Sequence, residues 1–110
     1  SDKRFKRVVM DYMDYSQIEF YQSSEKFFEA KKKQRIVLMT TKGSINYTKF
    51  KFKPDDTILF GRESAGVPEE VHKIIKNRLK IPMNSQVRSL NIASSVAIVL
   101  AESLRQIELI

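Results

Sequence analysis

The 110 residues predict an α/β domain with a mostly parallel sheet, and three observations carry that prediction. Residues 36–39 and 57–61 are continuous apolar runs, too short for helices and bounded by polar residues, as strands buried on both faces are. Helix signals alternate with these runs, which is the order of a sheet built from strand-helix-strand units. Residues 92–104, finally, are apolar on almost every side of a helix, so they must be buried all round, inside the domain or at a subunit interface. At this length residues 1–110 form a single domain.

Taken in order, Ser1 and Asp2 cap a short basic helix through about Val9. Ile18 and Phe20 alternate with Glu19 like a short strand. Ser23 or Ser24 caps a helix carrying Phe27, Phe28 and Ala30, and Lys31, Lys32 and Lys33 place cations at its carboxyl end. The strand at 36–39 follows, then that at 57–61. Pro68 occupies a first helical position with Glu69 and Glu70 in the first turn, which starts a helix of two to three turns. Leu79, Lys80 and Ile81 make a third, shorter strand that stops at Pro82. In the last helix Ile92, Val96, Val99 and Leu100 form one stripe, and Ala93, Ala97 and Ala101 form a small-residue face that another backbone can approach. With a charged helix first and no apolar strand before it, a parallel sheet of three short strands is small for this architecture.

Composition narrows the chemistry. With no cysteine and one histidine, neither a disulfide framework nor a His/Cys metal site is expected, so catalysis rests on hydroxyls, carboxylates, Arg, Asn or backbone groups. No apolar run reaches transmembrane length and no signal-peptide pattern opens the chain, which makes the cytoplasm the default. Twenty Lys and Arg against thirteen Asp and Glu give a formal charge of +7, which favours a polyanionic partner such as nucleic acid modestly over a merely solvated surface.

Ligands of such sheets bind at the carboxyl ends of strands. Three loops sit there: 40–44, 61–66 and 83–91. Gly61 and Gly66 lack the spacing of a Walker loop or a dinucleotide fingerprint, which disfavours a nucleoside triphosphate or NAD. On spacing alone they are two ordinary turn glycines. Glu63 between them either faces water or is held by backbone donors or an Arg. Ser89 and Asn91 are equally well helix caps, and Arg88 a surface cation.

Together these residues resemble a known family. Phe60, Gly61, Glu63, Gly66, Val67 and Pro68, followed by Ile81, Pro82 and Met83 and by Arg88, Ser89, Leu90 and Asn91 ahead of an apolar helix, are similar to motifs two and three of the SpoU (TrmH) branch of the SPOUT RNA methyltransferases. Residues 38–43 stand upstream as they do there. The resemblance runs from about Lys3 to Gln106 and is greatest to the small subgroup that 2′-O-methylates the wobble nucleotide of tRNA. It implies an α/β fold with a carboxyl-terminal trefoil knot, a homodimer packed through the knot and terminal helix, and S-adenosylmethionine as methyl donor. It also implies an amino-terminally truncated member, lacking the first strand, the first helix and their motif Asn and Arg. Ala101 stands where relatives often carry Tyr.

By that resemblance Met39, Thr40, Gly61, Gly66, Ile81, Met83, Ser89 and Leu90 hold the cofactor, Glu63, Ser89 and Asn91 are the catalytic set, and Arg88, Lys42 and Arg62 contact RNA. No metal is implied. Without the first-motif Arg, methyl transfer to tRNA is expected to be very slow. The alternatives are a non-catalytic RNA-binding domain of the same fold, separated by a methyl-transfer assay, and an unrelated α/β enzyme for an acidic substrate, separated by cofactor binding.

Overall fold

The computed structural model describes residues 7–11, 17–61, 67–82 and 92–107. Six strands form one sheet: β1 (Arg7–Asp11), β2 (Gln17–Tyr21), β3 (Ile36–Met39), β4 (Ile45–Asn46), β5 (Thr57–Phe60) and β6 (Asn77–Lys80). Their order is β2-β1-β5-β3-β6-β4. Neighbours from β5 to β4 are parallel, whereas β1 runs antiparallel to both β2 and β5. Among the described residues three α-helices flank the sheet: α1 (Ser24–Ala30), α2 (Glu69–Ile74) and α3 (Ile92–Gln106).

The apolar runs become central strands because each supplies side chains to both faces. Met10, Val37, Met39, Ile58, Phe60 and Leu79 join Val96 and Val99 of α3 in one core. Val9, Leu38 and Leu59 point the other way, where Phe27 of α1 and Val71 of α2 meet them. The period of two thus splits each strand between the two halves of a three-layer sandwich. Fully burying a Leu or Phe contributes about 1.5–3 kcal/mol, and most of these side chains are wholly buried.

Three expectations are corrected. Where a basic helix was expected through about Val9, the described residues from Arg7 on form the strand β1. Val8 and Val9 are β-branched, and pairing with β5 buries Val9 and Met10 completely on opposite faces, which a basic surface helix does not do. The parallel sheet of three short strands is a mixed sheet of six, widened by the β1–β2 pair at one edge and by β4, which carries no apolar run, at the other. Pro68 sits one position earlier than expected, as the cap before Glu69, with its carbonyl accepting from the Val71 and His72 amides. Along α3, Val96, Val99 and Ser103 are buried by this chain while Ala93, Ala97 and Ala101 are exposed, so the chain itself covers one side of the helix.

At the amino ends of the strands Asp56 is fully buried and accepts from the Arg35 guanidinium through both oxygens, at 2.6 and 2.7 Å, and from the Lys53 amide at 2.8 Å. Arg35 also donates to the Lys51 carbonyl. This group fixes the entries to β3 and β5 at the edge away from the candidate site.

Candidate active site

Because β5, β3 and β6 are parallel neighbours, their carboxyl ends reach one edge together: Met39 lies opposite Phe60 on one side and Leu79 on the other. Beyond these pairs the ladder continues. The Gly61 amide donates to the Met39 carbonyl at 2.9 Å, and the Thr40 amide to the Leu79 carbonyl at 2.9 Å. Met39, Thr40, Gly61 and Ile81, which come from three separate stretches of sequence, therefore stand side by side.

What the edge offers a ligand follows from that bonding. The N–H groups of Thr40 and Gly61 are committed to the sheet, the Met39 carbonyl accepts from Gly61 and the Thr40 carbonyl accepts from the Gly43 amide at 3.1 Å, so the edge presents the remaining lone pairs of these carbonyls, Cα surface and side chains rather than a row of N–H donors for an anion. The Met39 side chain is buried in the core beneath α3, which leaves its backbone for the site. Thr40 is buried, and its Oγ1 accepts from the Lys42 amide at 3.2 Å; the Lys42 side chain is exposed. Backbone oxygens flanked by apolar strand ends suit a heteroaromatic nucleoside, and a half-buried glycine at position 61 leaves it room. The residues present fit S-adenosylmethionine in these respects.

Residues 40–44 form a strap that the sequence did not reveal. Its start bonds to the Leu79 carbonyl, its end, Ser44, donates to the Arg78 carbonyl at 3.2 Å, and β4 then pairs with the far side of β6. The strap thus crosses the face of β6. At the crossing Gly43 is buried, and a Cβ placed on it would collide with the Leu79 carbonyl carbon and oxygen and approach the Lys80 nitrogen to 2.8 Å. The sequence placed Gly43 in a loop without a reason for a glycine there; the reason lies at Leu79 and Lys80, far along the chain, where no local signal reports it.

Glu63, Gly66, Arg62, Met83, Arg88, Ser89, Leu90 and Asn91 lie outside the described residues. Among the described residues, no cluster of three or more His, Asp or Glu could hold a metal ion, and no helix is long and apolar enough to cross a membrane.

The model of the SpoU rRNA Methylase family matches residues 1–101. The chain belongs to that family. Within it, a tRNA (cytidine(34)-2′-O)-methyltransferase of Beijerinckia indica is 46% identical over 109 residues, covering 97% of this chain and 68% of the relative. A solved RNA methyltransferase of Bacillus anthracis superposes with a TM-score of 0.65 at 35% identity, over 78% of this chain and 57% of that one. A structure solved for insight into 2-OH methylation of C/U34 on tRNA superposes with a TM-score of 0.68 at 36% identity over the same shares. The chain thus spans about two thirds of that relative and 57% of each solved chain. These SpoU neighbours have the SPOUT-type α/β architecture that the motifs implied.

Proposed function

We propose that this chain carries the S-adenosylmethionine- and RNA-binding domain of a tRNA 2′-O-ribose methyltransferase acting at wobble nucleotide 34. The observation that supports it most is the convergence of Met39, Thr40, Gly61 and Ile81 at one sheet edge, in a chain whose relatives are named for that reaction. Gly61 and Pro82 stand at the ends of the segments that reach this edge, and the resemblance assigns the rest of the site to residues 62–66 and 83–91.

S-adenosylmethionine, when bound, supplies an electrophilic sulfonium methyl group. The protein aligns a ribose 2′-oxygen in line with the C–S bond, excludes water and assists loss of the hydroxyl proton. Backbone groups of Met39, Thr40, Gly61 and Ile81, with Gly66, Met83, Ser89 and Leu90, hold the donor. Glu63, Ser89 and Asn91 orient the ribose. Arg88, Arg62 and Lys42 meet phosphates, contributing affinity that falls with salt. The domain works as a homodimer through the knot and α3, in the cytoplasm with its tRNA.

Titration calorimetry and a radiolabelled-methyl assay on unmodified tRNA test this. Binding of S-adenosylmethionine or its demethylated product is expected; methyl transfer by these 110 residues is expected to be undetectable or very slow, and whatever label is transferred is expected as a 2′-O-methyl group at nucleotide 34. Absence of binding by both compounds at millimolar concentration overturns the reading; label on a base rather than a ribose overturns the reaction assigned.

A further inference from the structure

Residues 40–54 contain four lysines, Lys42, Lys49, Lys51 and Lys53, and no carboxylate. All four are exposed. Three of them alternate with Phe50 and Phe52 in the order Lys49, Phe50, Lys51, Phe52, Lys53. Phe52 is buried and Phe50 half-buried, both against the α3-side core, with their rings 5.1 Å apart edge to face. The segment belongs to neither helix nor strand after the 3-10 turn Tyr47–Lys49, yet its backbone is fixed. Phe50 is extended at φ −87° and ψ 142°, with the Arg35 guanidinium 4.7 Å from its ring centre. The Lys51 carbonyl accepts from Arg35, the Phe52 amide donates to Gln106 of α3 at 2.9 Å, and the Lys53 amide donates to Asp56.

The path matters as much as the charge. The segment leaves β4 beside the carboxyl end of β6 and reaches Asp56 at the amino end of β5, so it runs alongside α3 from the site's edge to the opposite edge. Alternate residues of an extended chain lie roughly 6.6 Å apart, comparable with successive phosphates along a nucleic acid strand. Asp56 is engaged by Arg35 and Glu102 by Arg105, and the exposed Asp55 stands past the far end of the path, two residues after Lys53. A lysine run is usually a solvated face; here the backbone is immobilised under three unpaired lysines, which lowers the ordering cost of a contact.

We propose that Lys49, Lys51 and Lys53 form a phosphate-binding track that receives the RNA backbone beyond the target nucleotide, with Lys42 at its site-proximal end. The inference rests on the tRNA reading above. Its occupant is an RNA strand rather than an anionic membrane, because the lysines form a single file along one path, and the exposed apolar side chain of the segment, Ile45, is only 37% exposed and sits on β4 ahead of that file.

The test titrates an unmodified tRNA transcript by fluorescence anisotropy across a salt series. For K49A/K51A/K53A the slope of log affinity against log salt is expected to flatten by roughly two to three units, and affinity at low salt to fall tenfold or more. Replacing the three lysines by Arg should restore both. K26A/K32A/K33A, on exposed positions of and after α1, should leave the slope unchanged, and S-adenosylmethionine affinity should be the same in every variant. An unchanged slope in K49A/K51A/K53A overturns the track while leaving the methyltransferase reading intact. An equal loss in the α1-side variant overturns it too, since charge rather than place would then decide. If K49A/K51A/K53A loses binding to phosphatidylserine vesicles but not to tRNA, the surface serves membranes and the proposal falls. A chain that binds tRNA through the track yet neither binds the cofactor nor methylates refutes the function and spares the track.

Discussion

Two residues show how much a single atom decides here. Gly43 has no side chain because the strap crosses the Leu79–Lys80 peptide of β6, and the group a Cβ would strike is backbone in a central strand. Overpacking a core commonly costs about 1–3 kcal/mol, and a hydrogen-bonded backbone yields less readily than a side chain. Gly43→Ala is therefore expected near the upper end, about 3 kcal/mol, read as a lower urea midpoint. Ser44→Ala next to it should be silent, because Ser44 is exposed and its bond to Arg78 is made by the main chain. Glu102 is the second case. Hydrogen bonds from Arg105 first and from Gln106 next hold its carboxyl down from the ordinary 4.5 to about 2. A depressed carboxylate stabilises the fold above its unfolded pKa and loses that contribution as pH falls through its folded value. Stability should decline from about pH 4.5 towards 2, and Glu102→Gln should flatten that limb in thermal melts taken across the range; an identical acid limb in the variant would refute the assignment. The same carboxylate orients Gln106, whose Oε1 receives the Phe52 amide, so the lysine segment inherits its position from a pair on α3.

At the scale of elements, what the sequence disclosed was what local pattern can encode. The strands Ile36–Met39 and Thr57–Phe60 announced themselves by unbroken apolar runs, and α1 by the Ser23 cap, whose hydroxyl accepts from the Lys26 amide. Met39, Thr40, Gly61 and Ile81 were named as site residues from motifs, and the parallel order of β5, β3 and β6 brings the ends of their strands to one edge. The misses share one cause, tertiary pairing that leaves little local trace. β1 follows a lysine- and arginine-rich stretch whose charge suggested a helix, but two valines and a methionine beside an unpaired edge of β5 favour a strand. β4 is two residues long and exists because the strap delivers it to the edge of β6. The Arg35–Asp56 pair joins residues 21 apart, and nothing in either neighbourhood marks the partner. The lysines of residues 49–53 entered the sequence reading only through the net charge, and their alternation with phenylalanine acquires meaning because Phe50 and Phe52 face the core.

At the scale of the whole molecule, α3 presents a question that one chain does not answer. Its buried stripe covers the sheet, while Ala93, Ala97 and Ala101 recur every fourth residue on an exposed face, where a second helix could approach closely. The proposed homodimer would cover that face. Exposure in the single chain makes the test clean: Ala97→Glu adds a charge where the monomer is open to solvent, so it should leave the fold and its melting temperature at high dilution unchanged. In a close-packed interface the same carboxylate would be desolvated without a partner, at a cost of about 3 kcal/mol or more, which is over a hundredfold in the dissociation constant. Sedimentation at micromolar concentration should therefore give a dimer for the parent chain and a folded monomer for Ala97→Glu. A parent chain that sediments as a stable monomer refutes the dimer, and a variant that remains dimeric moves the interface away from this face of α3.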